Sequence, residues 1–136
     1  MADKLKAINT LSRLGLAFVF LYHGLVPKLL CLHPTEVVLV EAHHLSVPSH
    51  WVSSGAGILE VILSFLLLLA RGSLIPVYWA ALVLIVLLLD VAVVMPGLMI
   101  EAFNPVSVNV LGLFTCLVIV RSQETAGQSG SSNWSS

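Results

Sequence analysis

The sequence predicts an all-α fold, an integral membrane bundle of four transmembrane helices, and three observations carry that prediction. First, 58% of the 136 residues are hydrophobic and only 10% are charged, with a mean hydropathy of +1.02. A sphere of this size cannot bury so much apolar side chain, so the solvent is lipid. Second, four apolar stretches lie near 8–27, 51–70, 74–95 and 104–121, each close to the roughly 17–25 residues a helix needs to cross a hydrocarbon core of about 30 Å. Third, "LEVILSFLLLLA" and "AALVLIVLLLDVAVV" are continuous apolar runs, whereas barrel strands are shorter and alternate apolar with polar. Residues 1–121 are therefore read as one membrane domain.

Residues 1–7 form a polar lead-in. The first span follows Lys4 and Lys6 and reads as a retained helix, because "LVPKLLC" offers no small-x-small cleavage site. It is interrupted at Pro27. In "CLHPTEVVLVEAHHLSVPSH", Pro34, Thr35 and Glu36 open a short amphipathic helix through about His44, placed on the membrane surface or over the bundle mouth. Trp51 begins the second span and, with Tyr78 and Trp79 in the third, sits near a helix end as an interfacial anchor does. "ARGSLIP" is a tight turn. "VMPGLMIEAFNP" leads into the fourth span, where Asn104 caps and Pro105 takes the first helical position. From Ser122 onward, "SQETAGQSGSSNWSS" is rich in Ser and Gly, and 122–136 is expected to be a disordered polar tail.

A net charge of −1 gives no argument for polyanion binding, and no nucleic-acid partner is expected. The distribution of charge says more. Lys4, Lys6, Arg13, Arg71 and Arg121 fall on the side of the termini and Lys28 alone on the other, so the positive-inside rule puts both termini in the cytoplasm. The long loop after the first span, with His33, Glu36, Glu41, His43, His44 and His50, then faces outward. Those histidines lack H-x-x-x-H spacing, and His43 and His44 are adjacent and cannot share a helix face, so no metal site is expected. Cys31 lies just outside the first span and Cys116 deep in the fourth, so no disulfide is expected between them.

The functional signal lies in the polar residues inside the spans. Glu60 is nine residues below Trp51, near the midplane; Asp90 and Asn109 are each about five residues in from the outer end; His23 is one turn below Pro27; Arg13 is deepest on the inner side. An acid or arginine at the centre of a span costs roughly 2.5–3.5 kcal/mol on insertion scales, so these groups must face each other or water. Gly57, Glu60, Val61 and Ser64 share one face of the second span, as Pro105, Asn109, Gly112 and Cys116 do on the fourth, and small residues mark the side where membrane helices meet. Arg13, Ala17, Phe20, Gly24 and Lys28 fall in one arc of the first span, with His23 at its edge and Tyr22 opposite. Arg13, His23, Glu60, Asp90 and Asn109 are the candidate buried pocket, and Tyr22, Lys28 and Asn104 its mouth. The rise per residue places Arg13 about 7 Å below Glu60, and an Arg13–Glu60 pair is the expected ion pair. Lys28 reads as a snorkelling anchor.

"RLGLAFVFLYHGLVPKLL" followed by "HPTE", then "GAGILEVIL" and "FNPVSVNVLGL", resembles the DoxX-like family of small four-helix bacterial membrane proteins over about residues 10–121. The matching positions are Arg13, Tyr22, Gly24, Lys28, Glu60, Asn104, Pro105 and Asn109. The resemblance implies a link to membrane oxidoreductase assemblies, including a quinone-reducing one. On it rests the expectation of an accessory or anchoring subunit without catalytic residues of its own, in the lipid bilayer of a bacterial inner membrane, associated with a quinone and an oxidoreductase partner. The absence of a CxxC, a flavin signature and a matched haem histidine pair agrees with a non-catalytic role. Two alternatives stay open: a small proton-coupled transporter using Glu60, assembled as a homo-oligomer, and a purely structural or assembly protein.

Overall fold

The computed structural model of the chain describes residues 2–102 and 104–131, and among these there is no strand. Helix α1 spans Ala2–Gly24 and runs directly into a π-helical segment, Leu25–Leu30. The cause is Pro27, which has no N–H to give and whose ring obstructs the carbonyl one turn back. The wider i to i+5 register absorbs it, and the Cys31 N–H donates to Val26 O at 3.0 Å. Short helix α2, Pro34–Glu41, is capped by His33, whose Nδ1 accepts the Thr35 N–H at 3.3 Å. Then follow α3, Ser49–Leu69, α4, Ile75–Val94, a 3-10 turn over Pro96–Ile100, and α5, Pro105–Ser131. Asn104 caps α5 as expected, with Oδ1 accepting the Ser107 N–H at 3.0 Å.

Four helical stretches are long and apolar enough to cross a membrane: Asp3–Leu30, Ser49–Leu69, Ile75–Val94 and Pro105–Gly127. They alternate in direction, so the N-terminus, the turn at 70–74 and the end of α5 share one face. The π-helical segment, α2 and the 3-10 turn share the opposite, distal face. α1 is central and packs against α3 and α5, α4 leans on α5, and α3 touches α4 only lightly. The core between them holds Leu16, Ala17, Phe20, Leu67, Val77, Ala80 and Ile119, all almost fully buried. Large apolar side chains such as Phe18, Leu59, Leu69 and Val93 point outward, as a lipid-facing surface requires. With apolar matter on both sides, packing and interhelical hydrogen bonds hold the helices together; Ser64 Oγ donating to Ala17 O at 2.8 Å is one such bond.

Two expectations are corrected. The polar tail expected from residue 122 begins inside a continuous helix, since α5 runs on to Ser131; residues 132–136 lie outside the described residues. Its polar residues have partners: the Asn9 amide donates to Ser122 Oγ at 3.0 Å and the Gln123 amide to Gly72 O at 2.9 Å. α2 ends at Glu41 and has no apolar face, because Val37, Val38, Leu39 and Val40 are consecutive and encircle it; none of its residues is buried.

Candidate functional site

The crossing of α1 and α3 sets the site. A Cβ added to Gly24 would lie 2.6 Å from Gly57 O and 3.0 Å from Glu60 Cβ; one added to Gly57 would lie 2.8 Å from Gly24 O and 2.9 Å from Lys28 Cβ. Backbone touches backbone here, which only glycine allows. Lys28 stands one turn to the distal side of the crossing and Glu60 about one turn to the other side. Helical side chains lean toward their own N-terminus, and the two helices are antiparallel, so the side chains lean toward each other. Lys28 Nζ donates to Glu60 Oε1 at 2.5 Å, with both residues nearly sealed, 6% and 5% exposed. Glu60 Oε2 has no partner.

Beside this pair lies a cavity of about 740 Å³, bounded by α1, α4 and α5 and covered by α2. Its polar lining includes Lys28, Glu60, His23, Asn109 and Glu36; its apolar walls include Val19, Phe20, Leu84, Leu87 and Val91. Tyr22 and Asn104 also line it. The Asn109 amide donates to Pro105 O at 2.8 Å, which holds it on the inner face of α5. Glu36, on α2, was not among the sequence candidates. Burial lifts its carboxyl above the ordinary carboxylate range, against the pull of Lys28 and with the push of Glu60.

The structure does not bring Arg13 or Asp90 to this cavity. Arg13 does not pair with Glu60, and the lean of the side chains explains why: Arg13 leans toward the terminal face and Glu60 toward the distal one. Arg13 is instead the hub of the terminal end, 1% exposed, with Nε donating to Asn9 Oδ1 at 2.9 Å, Nη1 to Leu67 O at 3.2 Å, and Nη2 to Ser73 O at 2.8 Å and Gln123 Oε1 at 2.9 Å. The Leu67 carbonyl at the C-terminal, negative end of the α3 dipole and the Ser73 carbonyl of the turn beyond it take the place of a counter-ion. Lys28, read from sequence as a snorkelling anchor, is a buried pair member. Asp90 sits at the side of the bundle, where its Oδ1 meets His43 Nε2 at 2.8 Å. Asn9 and Gln123 escaped the sequence reading, Asn9 at the polar-flanked start of the first span and Gln123 in the polar stretch after the fourth, and His43 was read only as an outward-facing loop histidine; the four-residue spacing of Asn9 and Arg13 gave the one local signal.

Cys31 is exposed, Cys116 is buried, and both are free. Among the described residues, no group of three or more His, Cys, Asp or Glu side chains is placed to hold a metal ion.

The model of the DoxX-like family matches residues 17–117, most of the chain. The chain belongs to the DoxX-like family. The matched stretch of this DoxX-like protein contains both glycines of the crossing, the Lys28–Glu60 pair and the cavity residues of α4 and α5, whereas Arg13 precedes it. No curated protein and no solved structure matches the chain.

Proposed function

We propose that this DoxX-like protein is a non-catalytic accessory subunit of a membrane redox system, and that its distal cavity takes the head group of a quinone-like small molecule. The observation that carries the reading is the Lys28–Glu60 pair, buried at the wall of a cavity whose other walls are aliphatic. The cavity volume falls within the roughly 300–1,000 Å³ of small-ligand sites, which combine apolar walls with a few placed polar groups. Lys28, His23 and Asn109 supply hydrogen-bonding groups of the kind a ring carbonyl needs, while Leu84, Leu87 and Val91 suit a ring or isoprenoid body. A buried ion pair is also costly to keep for packing alone, since apolar residues of similar volume do as well or better.

The charge distribution supports an orientation in the bacterial inner membrane with both termini cytoplasmic and the cavity outward. Lys4, Lys6, Arg71 and Arg121 stand at the terminal face, and the one distal lysine, Lys28, is buried and neutralised by its partner. Proton-coupled transport through one protomer is less well supported. On the terminal side of Glu60 the described interior is mainly Leu16, Phe20, Leu63, Leu67 and Ala80, and the buried hydroxyl between Glu60 and the Arg13 network, that of Ser64, is held by Ala17 O, which does not favour a continuous polar path.

Native mass spectrometry of the protein released gently from its own membrane tests the reading. A bound quinone, or a stoichiometric oxidoreductase partner, supports it. A bare homo-oligomer carrying only phospholipid counts against it, and proton-flux assays on Glu60→Gln then become decisive.

A further inference from the structure

We propose that α2 is a hinged lid over the distal cavity, latched by a proton held between His43 and Asp90. The inference concerns regulation of the cavity described above and rests on that reading for its purpose, though not for its geometry.

Three observations define the lid. α2 covers the cavity through Thr35, Glu36 and Leu39 and rests on α3, yet its residues are at most half-buried and none is sealed, so its packing is light. Next, among the described residues two non-glycine residues have positive φ, Leu32 at 36° and His44 at 52°. They stand at the two ends of the segment that carries α2. Side chains with a Cβ rarely adopt that conformation, and it persists only where the surroundings enforce it. Residues 33–43 are therefore suspended between two strained joints, each of which relaxes if the segment swings.

The latch follows from hydrogen-bond chemistry. His43 Nδ1 lies 2.8 Å from Leu39 O and Nε2 lies 2.8 Å from Asp90 Oδ1. A carbonyl oxygen only accepts, so Nδ1 must carry a hydrogen. In a neutral ring Nε2 is then bare, and a bare nitrogen facing a carboxylate oxygen makes no bond. The contact requires one more proton, on Nε2 or on Asp90. Asp90, from α4, is the charged group that faces His43. Of the other acids on the segment, Glu36 faces Lys28, Glu60, His23 and His33 inside the cavity, and Glu41 is exposed. The hydrogen bond to Asp90, then that to Leu39 O, raise His43 above the ordinary histidine value. The raised value fixes the sign: the latch is complete below the ordinary histidine value and is lost as pH rises through the raised one.

The test measures distance and needs no ligand. Val38 on α2 and Val93 at the distal end of α4 are both exposed. Each is replaced by spin-labelled cysteine in a Cys31→Ser background, and the full chain in lipid nanodiscs is measured by double electron–electron resonance at about pH 5.5 and about pH 8.5, either side of the histidine range. The expected result is one short distance in acid and a second, longer population in base. The open-to-closed ratio should rise by about two- to fivefold, the weight of one solvent-exposed ion pair. His43→Ala should show the longer population at both pH values. Asp90→Asn should keep the short distance at both, because an amide can accept from the charged ring and donate to the neutral one. A parent distribution that ignores pH, or a pH response that survives His43→Ala, overturns the proposal. Since no ligand is added, lid motion and ligand binding can fail separately.

Discussion

Replacing either member of the buried pair, Lys28→Met or Glu60→Met, should destabilise the bundle by about 3 kcal/mol, while the double replacement should lie within about 1 kcal/mol of the parent. Two independent estimates give the single-variant figure. Breaking a buried ion pair costs about 3–5 kcal/mol because it strands the partner charge, and a lone charge deep in a span costs about 2.5–3.5 kcal/mol on insertion scales. With Lys28 6% and Glu60 5% exposed, water gives little of that back. The double variant strands nothing, and methionine fills irregular volume at little cost. The assay is a double-mutant cycle on reversible unfolding in mixed micelles, followed by circular dichroism. The expected coupling energy is several kcal/mol. Ordinary hydrogen-bonded pairs in membrane bundles couple by only about 0.6 kcal/mol, because the unfolded chain in the membrane also finds partners. A coupling of that size would refute the reasoning and reduce Lys28–Glu60 to one contact among many.

Three further predictions stand beside it, the first paired with its control residue. Gly57→Ala should cost about 1–3 kcal/mol and weaken ligand binding, since its Cβ would press on Gly24 O and Lys28 Cβ and part the helices that form the pair; Gly55→Ala, with nothing within 4 Å, should be neutral or gain about 0.5–1 kcal/mol in thermal unfolding. Arg13→Lys should cost about 2–3 kcal/mol, because an ammonium cannot span the four acceptors that the guanidinium reaches, and a melting curve in detergent reads it directly. Glu36 is held above the ordinary carboxylate range by burial, so the folded chain binds its proton more tightly than the unfolded chain, and the stability linked to it is present in acid and lost as pH rises through the folded value. Glu36→Gln should therefore match the parent in acid and exceed it at neutral pH, by under about 1 kcal/mol because the group is only half-buried, as seen in unfolding midpoints across pH.

The class of the protein and the order of its four spans were legible because lipid imposes length and composition directly: each span must be about 20 apolar residues whatever it packs against. Register was not. From rise alone Arg13 and Glu60 came within reach, and the pairing failed because depth ignores the direction in which a side chain leaves the helix. The same rule applied to Lys28 finds its partner, since a residue beyond Gly24 on α1 leans back toward a residue beyond Gly57 on α3. Gly57 and Glu60 on one face gave half of that geometry, and the close approach of Gly24 supplies the rest. The lid was legible only as a helix start at Pro34. Its joints at Leu32 and His44 carry no glycine or asparagine to announce a positive φ, and the His43–Asp90 contact joins positions 47 apart in sequence.

The two ends of the bundle differ in how completely their polar groups are satisfied, and that difference separates fastening from function. At the terminal end Arg13 uses all three of its nitrogens, Asn9 bridges to Ile119 O and Ser122, and Gln123 closes onto Gly72 O. The network ties α1, α3 and α5 together, and among the described residues none of its buried side-chain atoms is without a partner. Toward the distal end, among the described residues, stand the two buried side-chain atoms without a partner, Ser53 Oγ and Glu60 Oε2. Both are on α3, and Glu60 belongs to the cavity wall. Folding alone selects against unpaired buried oxygens, each costing about 1–3 kcal/mol, and an apolar pair of the same volume would serve the crossing equally well. Retaining Lys28 and Glu60 beside a roomy cavity, under a lightly packed helix, fits the proposed ligand site, whose polar atoms would exchange hydrogen bonds with something that comes and goes.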